Sequence, residues 1–215
     1  MKKYLLAVLA LGATMMMACQ PSDDGKGGNG SETKADYNLT SAIEGYLDSY
    51  GVAYAGVDAN DFNLALTGVG TDETGAVIGK MLFMEYLGET SNTSGLGTFA
   101  PAAINWQTGE GLAPNTYLAA AEMEGEIVGC GYIEMNVNSE VITAYEGIVS
   151  GDLTVAKEGD NYVVKGLFTT LSGKTVNVDV TCPLEFGDYS NQGGIAPLSV
   201  KKSLHFAPAS KYLKK

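Results

Sequence analysis

Histidine is almost absent from this chain, with His205 the only one, and cysteine is scarce at three residues. A Ser-His-Asp or Cys-His catalytic site would have to run through His205, which stands close to the C-terminal end of the sequence. Cys and His in the spacing of a zinc site are missing. Positive charge is also short. Thirteen Lys and Arg stand against 25 Asp and Glu, a formal charge of -12. Such a chain does not hold phosphate backbones by charge, so nucleic acid is excluded as a partner. Long apolar runs are lacking too. The run at residues 5–11 falls far below the ~20 residues that span about 30 Å of hydrocarbon. No cofactor motif is present. Gly68-Val69-Gly70 with Gly75 lacks the Gly-Lys-Ser/Thr ending of a phosphate loop and reads as turn glycine.

Glycine is plentiful at 28 residues, and tyrosine outnumbers phenylalanine by 12 to 6. Gly-rich turns between Val-, Thr- and Tyr-rich runs predict short strands. Residues 40–50 carry Ile43, Tyr46, Leu47 and Tyr50 at helical spacing, with Ser41 and Glu44 as a capping box. Gly45 in the middle disfavours a helix by about 1 kcal/mol, so a strand is expected. Phe62, Leu64 and Leu66 alternate with Asn63, Ala65 and Thr67, the pattern of a half-buried strand. Residues 77–87 are apolar on both faces, with Met81, Phe83 and Leu87 on one and Leu82, Met84 and Tyr86 on the other. That predicts a central strand, joined to the previous one by a turn at 68–75. Residues 117–126 suggest a short strand and 127–137 a stronger one. From 151 to 182 turn signals recur about every ten residues, the rhythm of a meander. The final stretch, 187–194, reads as loop. The expected fold is all-β: an antiparallel sandwich or flattened barrel built from hairpins and a C-terminal meander.

The N-terminus carries a different signal. Lys2 and Lys3 precede the apolar run, and small residues lead to Met16-Met17-Ala18-Cys19. This segment resembles a bacterial lipoprotein signal, with Met16 where the pattern prefers Leu. The resemblance implies that Cys19 becomes an acylated N-terminus held in a lipid bilayer, and several acyl chains suffice for stable anchoring. Asp23 and Asp24 resemble the surface-export signal of Bacteroidetes lipoproteins; a solvated tether is the alternative. Without Lys2 and Lys3 the mature charge goes from -12 to -14. The expected organisation is a leader at 1–18, a lipidated Cys and Gly/Ser-rich tether at 19–36, one β-domain at 37–208, and a basic tail at 209–215. The layout as a whole resembles Bacteroidetes outer-membrane surface lipoproteins with compact β-domains. That resemblance implies an extracellular-facing location and a fold, and no activity.

Candidate site residues follow from residue chemistry. Sugar recognition stacks a flat ring on an apolar sugar face with amides nearby. Trp106 between Asn105 and Gln107 has that composition, and so does Tyr189 with Asn191 and Gln192. Against this, Trp is mostly buried, and its indole N–H needs only one acceptor. Cys130 and Cys182 lie in apolar strand-like runs; in an oxidising compartment they form either a disulfide or two buried thiols. Glu122, Glu124, Glu126, Glu134 and Glu140 cluster in sequence as glycosidase carboxylates would, but a solvated strand face accounts for them. Asp58, Asn60 and Asp61 lack the full spacing of a calcium loop. The function expected is a lipid-anchored, non-catalytic module that binds an extracellular glycan or peptide. A structural or adhesive subunit pairing through edge strands is the alternative, and a glycoside hydrolase-like enzyme the third reading.

Overall fold

The computed structural model describes residues 34–54 and 56–190. The leader, Cys19, Asp23, Asp24, Asn191, Gln192, His205 and the basic tail lie outside them. The described chain is all-β, with fourteen strands. In order they are β1 (Tyr37–Leu39), β2 (Glu44–Val52), β3 (Ala59–Thr71), β4 (Val77–Glu89), β5 (Gly97–Pro101), β6 (Thr116–Tyr117) and β7 (Ala121–Met123). Then follow β8 (Glu126–Val128), β9 (Gly131–Asn136), β10 (Val141–Ser150), β11 (Leu153–Glu158), β12 (Asn161–Thr170), β13 (Thr175–Cys182) and β14 (Glu185–Asp188).

Twelve strands make one continuous sheet that returns on itself. Strand β4 pairs with β9, β9 with β10, β10 with β12, β12 with β11, β11 with β5, β5 with β6, and β6 again with β4. The ring is a flattened barrel with flaps on both sides. A front wall runs β14-β2-β3-β4-β9-β10, and a back wall runs β1-β13-β12-β11-β5. Strands β7 and β8 form a separate hairpin.

The residues explain this shape. Of residues 40–50, the expected strand forms from Glu44 onward as β2, and the two-faced run at 77–87 is central, between β3 on one side and β9 and β6 on the other. Its Leu82, Met84 and Tyr86 point into the core with Phe62, Leu64 and Leu66. From the back wall, Val164, Phe168, Val176, Val178 and Val180 meet them. Each such buried side chain contributes about 1.5–3 kcal/mol by leaving water. Tyr86 stacks on Phe62 at 5.4 Å and tilts onto Phe99 at 4.2 Å.

One corner of the barrel is made by bending a strand. Chain β10–β11 leaves the front wall, passes Gly151, and continues in the back wall. Gly151 has φ +100°, and a Cβ there would stand 2.2 Å from the Leu167 carbonyl oxygen. Only glycine fits.

Several expectations change. Strands β3 and β4 run on through Gly68 and Gly70, and the turn is confined to 72–76, where Asp72 accepts from the backbone N–H of Thr74 and Ala76. Residues 117–126 are not one strand, because Glu124 and Gly125, with φ 54° and 80°, turn the chain into the β7–β8 hairpin. Gly187 and Asp188 are strand, not loop. Three pairings are parallel: β1 with β13, β14 with β2, and β5 with β6. The sheet is therefore mixed, antiparallel in its hairpins and parallel where flanking segments are added. Cys130 and Cys182 are buried thiols, not a disulfide. The Cys130 thiol donates to the Glu85 carbonyl at 3.4 Å and accepts from its N–H at 3.3 Å.

Candidate functional site

The residues proposed for sugar contact are not brought together. Trp106 is only 6% exposed and belongs to the core. Asn105 turns the chain beneath it: its Oδ1 accepts from the N–H of Gln107 at 3.0 Å and of Thr108 at 3.3 Å. The Asn-Trp-Gln composition is thus that of an Asx turn closing over a buried indole. Tyr189 lies elsewhere, half-buried, and stacks on Tyr50 at 5.6 Å and 18°. Glu122, Glu124, Glu126 and Glu140 are exposed, on or beside hairpin turns, and Glu134 pairs with Lys80 at 3.7 Å. Asp58 is exposed, Asn60 donates to the carbonyls of Thr90 and Asn92, and Asp61 is buried. Among the described residues no group of His, Cys, Asp and Glu is placed to hold a metal.

The arrangement with binding character is the outer face of the front wall. Residues in register across neighbouring strands share a face. From β14 to β10 the outer face carries Glu185 and Gly187, then Glu44, Tyr46 and Asp48, then Asp61, Asn63 and Ala65. Next come Glu85, Phe83 and Met81, then Ile133 and Met135, then Tyr145 and Ile142. Its centre is half-buried and apolar, at Met81, Phe83, Ile133 and Ala65. Its β2 side is acidic and tyrosine-rich.

Electrostatics divide this face from the interior. Tyr46 donates to Glu44, Tyr54 to Glu85, and Tyr50 to Asp48 at 3.3 Å. Burial raises the phenol pKa of Tyr46, Tyr50 and Tyr54, and the neighbouring carboxylates add to it. Tyr145 is pushed up to about 12, first by burial and then by Glu126. The Asp48 carboxyl is raised by burial, with Glu185 adding to the shift and the Tyr50 hydrogen bond opposing it. The backbone accommodates that carboxylate: a Cβ on Gly187 would stand 2.4 Å from Asp48 Oδ1 and 2.6 Å from the Tyr189 ring. At the β2–β3 connection the face meets a depression of about 450 Å³ lined by Val52, Ala53, Tyr54, Gly56, Val57 and Asp58.

No family model, curated protein or solved structure matches this chain. A face of Tyr, Met, Phe and Ile bordered by carboxylates suits a ligand with apolar and cationic groups. Sheet edges offer less. Strand β1 has three residues, and β14 has four, two of them Glu185 and Asp188. The sequence signal for the outer face was available in two places. Residues 44–50 alternate Glu, Tyr, Asp and Tyr against Gly, Leu and Ser. Met81 and Phe83 make the second face of a strand that needs only one face for the core.

Proposed function

We propose that this protein is a lipid-anchored, non-catalytic binding module at the bacterial cell surface, and that the outer face of its front wall takes an extracellular peptide. Acylated Cys19 holds it in the outer membrane, and Asp23 and Asp24 direct it to the outside. Support for the anchor is the leader followed by Met16-Met17-Ala18-Cys19. The observation that carries the binding reading is the row Tyr46, Phe83, Met81, Ile133 and Tyr145, half-buried on the solvent side of a six-strand wall. A rigid sheet holds those groups with little ordering cost on binding. A peptide is favoured over a glycan because the indole is in the core and the Tyr50–Tyr189 rings stack on each other.

The test uses Cys19→Ala protein on peptide and glycan arrays, beside Tyr46→Ser and Phe83→Ser versions. Binding to peptides that falls about tenfold in both variants, with folding intact, is the expected result. Binding confined to glycans, or unchanged in both variants, would sink the proposal. In cells, labelled palmitate should enter the wild-type chain and not Cys19→Ala.

A further inference from the structure

Two features of this face point to a particular occupant. The first is charge. Half-buried Glu44 and exposed Glu185 lie on it, with the buried carboxylates of Asp48, Asp61 and Glu85 behind them, and the register places no lysine among them. Burial and Glu185 both work against the charge of buried Asp48, so a cation paired with exposed Glu185 gains twice, by meeting that carboxylate and by relieving its repulsion of Asp48.

The second is where the described chain leaves the fold. The backbone N–H of Tyr189 donates to the Ser49 carbonyl at 2.7 Å, and Tyr189 stacks on Tyr50. Ser190 packs against Gly51, at 3.0 Å from where a Cβ would be. The chain thus departs from the acidic, tyrosine-rich side of the outer face. The 25 residues from 191 to 215 then carry five lysines, Lys201, Lys202, Lys211, Lys214 and Lys215, and no Asp or Glu. Leu198, Val200, Leu204 and Phe206 surround the first two lysines. This is the most basic stretch of an otherwise acidic protein.

We propose that the outer face of the front wall is the docking site of the chain's own segment 195–211, with its lysines among the face carboxylates and its apolar residues on Met81, Phe83 and Ile133. Reach is sufficient. Lys201 is eleven residues beyond Ser190, a span of up to roughly 36 Å. The six strands from β14 to β10 cover about 24 Å at ~4.8 Å per spacing. Tethering also makes the encounter intramolecular, at an effective concentration on the order of millimolar. An external peptide therefore has to displace this segment, which makes the binding face self-regulated. The proposal rests on the reading of that face as a binding surface.

The experiment is zero-length carbodiimide cross-linking of full-chain Cys19→Ala monomer at low ionic strength, read by mass spectrometry. Amide links from Lys201, Lys202 or Lys211 to Glu44 or Glu185, lost at about 0.5 M salt, are expected. Links from those lysines only to Glu122, Glu124 or Asp160, or no links at all, would overturn the proposal. A second arm compares array peptides on this protein and on Lys201→Ser/Lys202→Ser/Lys211→Ser, whose changes lie beyond the described fold. Self-docking predicts at least about tenfold tighter peptide binding in the triple variant. Face cross-links with no peptide bound by either protein would leave self-docking standing and remove the external ligand. Equal peptide binding without face cross-links would do the reverse.

Discussion

Two buried carboxylates on the front wall, one on each side of it, have opposite surroundings. Glu146 points into the barrel. It accepts from Ser172 at 2.6 Å and from Tyr37 at 3.1 Å, and pairs with Lys174 at 3.4 Å. Burial pushes its pKa up, but the hydrogen bonds from Ser172, Thr170, Tyr37 and Lys174 outweigh that and bring it below the usual value. Lys174 also bonds the Tyr37 hydroxyl at 2.7 Å and lies over its ring. Tyr37 belongs to β1 in the back wall and packs on Tyr132 in the front wall. This network joins the two walls and meets its own charge. Asp48, on the outside, has a tyrosine and another carboxylate instead, and its pKa rises. A carboxylate that the fold needs is supplied with donors by the fold. One left short of cations is suited to receive them from elsewhere.

The comparison breaks most visibly at Glu146. Glu146→Ala removes the acceptor that collects Ser172, Tyr37 and Lys174, and should cost about 2–3 kcal/mol in urea unfolding. A loss below roughly 0.5 kcal/mol would mean that the network is incidental. Tyr37→Phe keeps the ring on Tyr132 and removes the bonds to Glu146 and Lys174. About 1–1.5 kcal/mol is expected, again by urea unfolding.

On the outer face the sign reverses. Asp48→Asn keeps an acceptor for Tyr50 and removes the charge that burial and Glu185 disfavour. It should raise the melting temperature at neutral pH, by on the order of 1 kcal/mol or less in stability. Because the folded pKa of Asp48 lies above its unfolded value of 3.8, the wild-type penalty is absent below that value and grows as pH rises through the folded pKa. The Asn gain should therefore shrink as pH falls toward 3.8. The smallest effect belongs to the row proposed to bind peptide: Tyr46→Ser should change stability by about 0.5 kcal/mol or less while weakening the proposed peptide binding. A large loss of stability would assign that tyrosine to the fold.

The fold was legible where polar alternation and turn chemistry agree. The meander of β11, β12 and β13 follows from Gly159-Asp160 and Ser172-Gly173 between alternating valines. Strand β2 was legible because Gly45 weakens a helix; in the structure a Cβ at Gly45 would stand 2.3 Å from Leu184. The parallel pairings were not, since they join segments far apart in sequence and leave no local pattern. Trp106 misled because composition around a ring is the same for a ligand loop and for an Asx turn capped by Asn105. The outer face was missed because it is spread over six strands and exists only once their register is set. Its two local traces, the Glu/Tyr/Asp/Tyr alternation of residues 44–50 and the apolar second face of β4 at Met81 and Phe83, are equally those of a plain strand and of a central one.

The most direct measurement is urea unfolding of Asp48→Asn and Glu146→Gln side by side, at about pH 7 and again near pH 3. At neutral pH opposite signs are expected: Asp48→Asn more stable than wild type, Glu146→Gln less stable. Both differences should contract in acid, since Glu146 contributes stability above its ordinary value of 4.5 that is lost as pH falls through its lowered folded pKa. Two destabilised variants at neutral pH would contradict the account. They would mean that Asp48 is already supplied with the donors it needs, and that the outer face holds no unmet demand for a cation.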